Sequence, residues 1–310
     1  MAYHVPVLLN ETINALAIKP DGIYMDGTLG GAGHAEAIAR RLTKGGHLYG
    51  FDQDADAIRE ATKRLAPYAE HVTIIKENFE NALQCLREQN ITALDGILLD
   101  LGVSSHQFDD ASRGFSYREN APLDMRMDLA NDVSAYTIVN EYDETELFHI
   151  LRDYGEEAFA KSIARHIVKR REERPVETTF ELVKIIDAAI PKRVRARGAH
   201  PAKRTFQALR IACNRELEIL ENVLEPLIDA LTPGGRLAVI TFHSLEDRIV
   251  KQTFRRAENP CTCPPSFPVC VCGKKQKGRN VFRKAVTATE EELTSNRRAH
   301  SAHLRVFEHT

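Results

Sequence analysis

The sequence predicts an α/β fold, a doubly wound Rossmann-like sheet interrupted by an inserted α-helical domain. Three observations predict it. Short apolar strand patterns alternate with amphipathic helical patterns through the first third of the chain. From about Asp110 to Cys213 the alternation stops and only helical stretches appear, such as Ala158 to Arg171 and Phe180 to Ala189. Alternation then resumes and closes on two further strand patterns, near Val281 to Val286 and His303 to Phe307.

Taken in order, Ile23 to Met25 forms an apolar strand ending in Asp26. The turn that follows holds Gly27, Gly30, Gly31 and Gly33 and opens a helix carrying Ala35, Ile38, Ala39 and Leu42 at helical spacing. A second strand, Leu48 to Phe51, ends in Asp52, and a helix with Ile58, Ala61 and Leu65 follows it. Val72 to Ile75, a short helix at Ala82 to Leu86, and Ile97 to Asp100 complete the first half of the sheet. After the helical stretch come a helix near Leu217 to Leu231, a turn at Thr232-Pro233-Gly234-Gly235, and a fifth strand from Leu237 to Thr241. The expected organisation is a sheet domain built from residues 1–110 and 210–310, with residues 111–209 as the insert.

At 310 residues the chain can bury a real core. It has no apolar run of about 18 residues, and its start lacks the basic-then-apolar pattern of a secretory signal, so a soluble cytoplasmic protein is expected. The net charge of -2 hides an uneven distribution: Lys161 to Arg215 carries fifteen Lys and Arg against five Asp and Glu.

The glycine turn reads as a nucleoside cofactor cradle. Asp52 falls roughly 20 residues past the first glycine, where a ribose-binding acid belongs. A dinucleotide pyrophosphate disfavours a carboxylate such as Asp26 beside the turn, whereas a ligand with an ammonium and a sulfonium, as in S-adenosylmethionine, favours it. A P-loop is excluded, because no Gly-Lys-Ser/Thr closes the turn. The terminal pair of strands agrees with a class I methyltransferase sheet, which ends in an antiparallel hairpin. In such a sheet ligands lie outside the carboxyl ends of the strands, which here carry Asp100 to Ser105 and Phe242 to Asp247.

These segments resemble one family, the bacterial small-subunit ribosomal RNA cytosine-N4 methyltransferases. The resemblance rests on His4 to Leu8, Asp26 to His34, Asp95 to Ser105, Arg113 to Ser116, Pro122 to Met127, His200 to Ala202, Arg204 to Ala208 and Phe242 to Lys251, in order along nearly the whole chain. It implies a methyl group passed from S-adenosylmethionine to the exocyclic amine of a cytosine in the decoding region of 16S rRNA, on the 30S subunit. It further implies cofactor contacts at Ala32, Gly33, His34, Asp52, Phe79, Asp100 and Gln107, to which the residue reading adds Asp26 and Gly30. One departure is Ala32, where the family often has a second glycine; a side chain there restricts the backbone.

A cytosine amine is a poor nucleophile, so the site must align it with the methyl group and accept its hydrogens. Many amine-directed nucleic-acid methyltransferases follow the fourth-strand acid or amide with two prolines and an aromatic residue. Here the sequence is Asp100-Leu101-Gly102-Val103, which keeps the polar head without the stacking ring. Asp100, His243 and Ser244 are therefore the catalytic candidates. Phe242 is the candidate to hold the base, with Asp124 and Arg126 of the insert closing over it. Each has a plainer reading, Asp100 as a cofactor contact only and His243 as a satisfied structural histidine. Cys85 and Cys213 sit in apolar helical contexts and read as packing residues.

Two basic runs, Pro191 to Arg204 with Arg195 and Arg197 at its centre and Lys274 to Lys284, fit phosphate contacts to RNA, although such runs also occur as solvated faces. Reaching a stacked cytosine would require its extrusion into the pocket. The remaining cysteines, Cys261, Cys263, Cys270 and Cys272, read as metal ligands before disulfides in a cytoplasmic protein. Their spacing departs from the usual C-x-x-C knuckle, and zinc stays an open reading. The expected partner is 16S rRNA, with no DNA and no membrane. Three rivals remain: a DNA amino-methyltransferase, against which the missing double proline counts; a nicotinamide oxidoreductase, against which Asp26 and the hairpin count; and a non-catalytic RNA-binding protein that retains the cofactor.

Overall fold

The computed structural model describes residues 6–195, 200–264, 267, 269 and 271–310, with only the backbone of Ser105 and Arg297. The chain divides into two compact units, residues up to Gly102 with Leu217–Thr310, and Val103–Glu216. The second is wider at both ends than the 111–209 insert expected from sequence.

The first unit is built on a seven-stranded sheet. Its strands are β1 (Ile23–Asp26), β2 (His47–Asp52), β3 (Val72–Lys76), β4 (Leu94–Asp100), β5 (Leu231–Thr241), β6 (Gly278–Asn280) and β7 (His303–His309), in the order β3-β2-β1-β4-β5-β7-β6. β1 to β5 pair in parallel, while β7 runs antiparallel to both β5 and β6. β1 lies between β2 and β4, so the strand order reverses there, the place where an open α/β sheet forms its ligand crevice. Asp26 stands opposite both Gly50 and Leu98, and Asp52 and Asp100 end β2 and β4, so three carboxylates sit at the carboxyl ends of adjacent strands.

Both faces of the sheet are buried, and the period of two along β5 shows how. Leu237 and Val239 join Met25, Phe51, Ile97, Leu99 and Phe254 on one side, while Ala238 and Ile240 join Leu29, Ile38, Leu48 and Leu304 on the other. Each fully buried Leu, Ile or Phe contributes about 1.5–3 kcal/mol. Where β1 runs into the turn, a Cβ on Gly27 would lie 2.6 Å from the Leu99 side chain and 3.0 Å from that of Phe79, so only glycine lets the turn approach β4.

Two expectations are corrected in this unit. The expected turn at Thr232 to Gly235 is part of β5, as an irregularity at which Gly234 takes φ +78° and the register against β4 slips between Leu94 and Gly96. The sixth strand forms at Gly278–Asn280, ahead of the expected Val281 to Val286, of which Val286 keeps an isolated bridge to Leu304. The strand-like apolar spacing of Val281 and Val286 instead packs them against the core.

The second unit is helical, with Ala135–Glu141, Glu144–Asp153, Ala160–Arg171, Thr179–Ala189 and Ala202–Cys213 closing on a core that includes Ile138, Leu147, Ile163, Leu182, Ile186, Phe206 and Leu209. Ser134, Asp143 and Thr178 each start a helix with a reciprocal capping box. A long loop before these helices is pinned by buried Arg113, which donates to the carbonyls of Arg126 and Met127, and by Asn214, which bridges the Met125 carbonyl and the Met127 amide. Among the described residues no helix is long and apolar enough to cross a membrane.

Candidate active site

The turn after β1 is held by its own acids. Asp26, 1% exposed, accepts the Thr28 amide at 3.0 Å, and Thr28 Oγ1 in turn accepts the Asp100 amide at 2.6 Å, tying the end of β4 to the turn. Asp52 accepts the Gly30 amide at 2.8 Å through one oxygen and the Asp54 amide at 2.9 Å through the other. Each carboxylate oxygen has a second lone pair, so Asp52 can clamp the turn and still accept from a ligand hydroxyl. Ala32 caps the following helix, Gly33–Ala39, with φ +55°, and its methyl group is fully buried. The family's glycine is thus replaced by a residue held in the left-handed region, and what Ala32 offers a ligand is backbone.

His34 is 5% exposed, with Nε2 3.0 Å from the Val7 carbonyl and Nδ1 3.5 Å from Asp100 Oδ2. A carbonyl only accepts, so Nε2 carries a proton and Nδ1 addresses Asp100. On a neutral ring so protonated Nδ1 is an acceptor, and it meets Asp100 through a protonated carboxyl. Phe79 is partly buried against the core, and its Cβ borders the turn at Gly27.

The electrostatics of the three strand-end carboxyls are distinctive. Burial, with the charge of Asp52, raises Asp26 to about 7. Burial also raises Asp52 to about 6, against the amide hydrogen bonds from Asp54, Gly30 and Gln53 that favour its anion. Asp100 is pushed well above the usual carboxylate range by burial and by the charges of Asp26 and Glu246, and its Oδ1 is buried without a hydrogen-bond partner. Anions crowded together with an orphaned acceptor oxygen make a site suited to a cationic ligand.

At the end of β5 the structure revises the sequence reading. His243 is the cap of the helix Ser244–Glu258: Nδ1 accepts the Glu246 amide at 3.5 Å and Nε2 lies 3.1 Å from Glu246 Oε1. Glu246, 2% exposed, reaches back to the amides of Phe242 and His243 at 2.8 and 3.3 Å. The ring expected to act in catalysis is thus turned onto its own helix. Glu246, which sequence reasoning left out of the site, does the positioning; the His-Ser-Leu-Glu spacing of a capping box is the signal that marks it. Phe242 is half-buried, and Ser244 is exposed at the first turn of the helix.

Other expected site residues lie in the second unit. Gln107 is buried and forms a capping box with Ser104. Arg126 grips both oxygens of Asp124, at 3.0 and 2.8 Å, and donates to the carbonyls of Leu129 and Asn131, so the pair expected to close over a base is a clip within its own loop. Burial pulls Asp124 upward, but the Arg126 hydrogen bonds prevail and hold it below the usual range. Arg195 lies 3.6 Å from Asp187, while Lys192 and Arg193 are exposed; Arg197 lies outside the described residues. Cys213 is buried, its thiol pushed up to about 12 chiefly by desolvation, as expected of a packing residue. Of the four clustered cysteines, Cys261, Cys263 and Cys272 converge and Cys270 lies outside the described residues.

Relatives cover the chain almost end to end. A protein of Lachnospira eligens named ribosomal RNA small subunit methyltransferase H is 61% identical over 305 residues, covering 98% of this chain and 97% of its own. Proteins of the same name from Symbiobacterium thermophilum and Clostridium botulinum are 55% and 54% identical, each over 98% of this chain and over 95% and 97% of their own. The sequence model of the MraW methylase family matches residues 1–310: the chain belongs to the MraW methylase family.

Proposed function

We propose that this methylase transfers the methyl group of S-adenosylmethionine to the exocyclic N4 amine of a cytosine in the decoding region of 16S rRNA, on the 30S subunit and therefore in the cytoplasm. The relatives' shared name supports the small-subunit rRNA substrate. The observation that carries the chemistry is the trio Asp26, Asp52 and Asp100 on adjacent strand ends, each raised in pKa chiefly by burial.

In this reading Asp26 and Asp52 meet the positive and ribosyl parts of the cofactor, Gly30, Ala32, Gly33 and His34 shape its cradle, and Phe79 flanks the adenine. Bound there, S-adenosylmethionine would supply an electrophilic methyl group to the amine nitrogen, its sulfonium leaving as a neutral thioether. Burial and the neighbouring charges of Asp26 and Glu246 raise the proton affinity of Asp100, so near a cationic cofactor its carboxylate could accept a hydrogen of the amine, and it would hold the proton released by the nitrogen more tightly once that positive charge is gone. Ring-carbon chemistry and a cysteine nucleophile are unnecessary for an exocyclic amine. Phe242 offers the half-buried ring against which an extruded base can stack, and Lys192, Arg193 and Arg195 of the 111–209 insert offer phosphate contacts, making that insert the substrate-recognition domain.

The test is transfer of tritiated methyl from S-adenosylmethionine to 30S subunits, naked rRNA and DNA, with the product digested to nucleosides. N4-methylcytidine from 30S subunits is the expected result. Label in DNA, on a ring carbon or on ribose, or tight cofactor binding without transfer to any of them, overturns it.

A further inference from the structure

We infer that the loop between the helix Ser244–Glu258 and β6 holds a zinc ion on the thiolates of Cys261, Cys263 and Cys272. The three sulfurs all lie within 4.8 Å of one another, and among the described residues no other three His, Cys, Asp or Glu donors converge in this way. Cys261 and Cys272 are eleven positions apart, yet their sulfurs are 3.9 Å apart. A disulfide would bring them to about 2.05 Å. Zn–S bonds of about 2.3 Å in a tetrahedron separate sulfurs by about 3.8 Å, the spacing seen here.

The surroundings fit anionic sulfur. The Val271 amide donates to Cys263 Sγ at 3.3 Å, the kind of hydrogen bond that orients a metal-bound thiolate and stabilises its charge. Gly273, directly after Cys272, takes φ +66° with open space around it, the left-handed backbone that favours glycine. Three sulfur donors select soft or borderline ions over magnesium or calcium, and a single ion on such a set, with no redox role required of it, is zinc.

The loop also needs a staple. Residues 259–277 form no helix or strand among those described, and Phe267, Val269 and Val271 are 49%, 70% and 71% exposed. A segment of that length with no core of its own is uncommon in a folded domain unless something else orders it. Metal-ligand bonds do so without buried apolar area. The ion would fix the start of the basic run, because Lys274 and Lys275 are exposed directly beyond Gly273. Cys270 lies outside the described residues, and the fourth coordination position is not assigned.

The test uses the full chain, reduced and stripped of metal with a chelator, then titrated with cobalt(II). One equivalent per chain should bind with a thiolate-to-metal charge-transfer band and the intense visible bands of tetrahedral cobalt, and zinc should displace it. The Cys261→Ser/Cys272→Ser variant should lose these bands and Cys85→Ser should keep them, while both bind S-adenosylmethionine within twofold of the parent. Zinc should also slow proteolysis within residues 259–277 of the parent at least tenfold. No thiolate–cobalt band in the parent, equal metal stoichiometry in the double variant, or zinc-independent proteolysis would each overturn the inference.

Discussion

Lowering the pH should weaken S-adenosylmethionine binding far more than an ordinary aspartate could. Asp26 titrates near 7 and Asp52 near 6, both because burial penalises the anion. A cationic ligand favours the ionised forms, so it expels protons on binding and its affinity rises with pH through this window. If only the doubly ionised site binds, the competent fraction falls by two to three orders of magnitude between about pH 7.5 and pH 5.0, or ~4 kcal/mol. The ligand's own ammonium stays largely charged across that range. Without ligand the same shifts act on folding in the opposite sense. The stability these two groups contribute is fully present below the ordinary value of 3.8 and is lost as pH rises through about 6 and 7, so added cofactor should raise Tm more at pH 7.5 than at pH 5.0. Calorimetric titration in buffers of different ionisation enthalpy measures both the Kd and the proton release. Asp26→Asn should remove the upper step and leave about a tenfold dependence due to Asp52. A Kd constant within threefold across the range, with no proton release, would refute the reasoning.

Asp100→Asn preserves shape but not proton affinity, and should slow single-turnover methyl transfer by about a hundredfold or more while changing cofactor affinity less than tenfold; an unchanged rate would remove Asp100 from the chemistry. Glu246→Ala leaves the Phe242 and His243 amides without their acceptor and should destabilise the protein by about 1–3 kcal/mol, read as a lower urea midpoint. Replacing Lys192, Arg193 and Arg195 together with alanine should weaken RNA binding and flatten its salt dependence by up to about three in log–log slope, with cofactor affinity intact. An unaltered slope would make this run a solvated face, with Arg195 serving only Asp187.

Much of the fold is legible in the sequence, because it rests on local patterns. Ile23 to Asp26 and Leu48 to Asp52 have the apolar run and polar terminus of buried parallel strands, and the glycines after the first strand allow the tight turn that ends it. The short sixth strand was harder to read, since three residues, Gly278–Asn280, carry no period, and what pairs them is the edge presented by β7. The irregular start of β5 was hidden for a related reason: Pro233, Gly234 and Gly235 have turn chemistry, and only the neighbouring β4 draws them into the sheet.

The candidate site divides the same way. Sequence alone determined which acids end the strands, because the chain's own periodicity places Asp26, Asp52 and Asp100 at carboxyl ends once those strands exist. It could not decide what His243 and Arg126 would do, because a histidine or an arginine bonds whichever partner the surrounding turns bring near, and here those partners are Glu246 and Asp124. Nor could it set the charge of the strand-end acids. That follows from desolvation and from the mutual repulsion of groups separated by as many as 146 positions in the chain, from Asp100 to Glu246, which only the assembled sheet brings together.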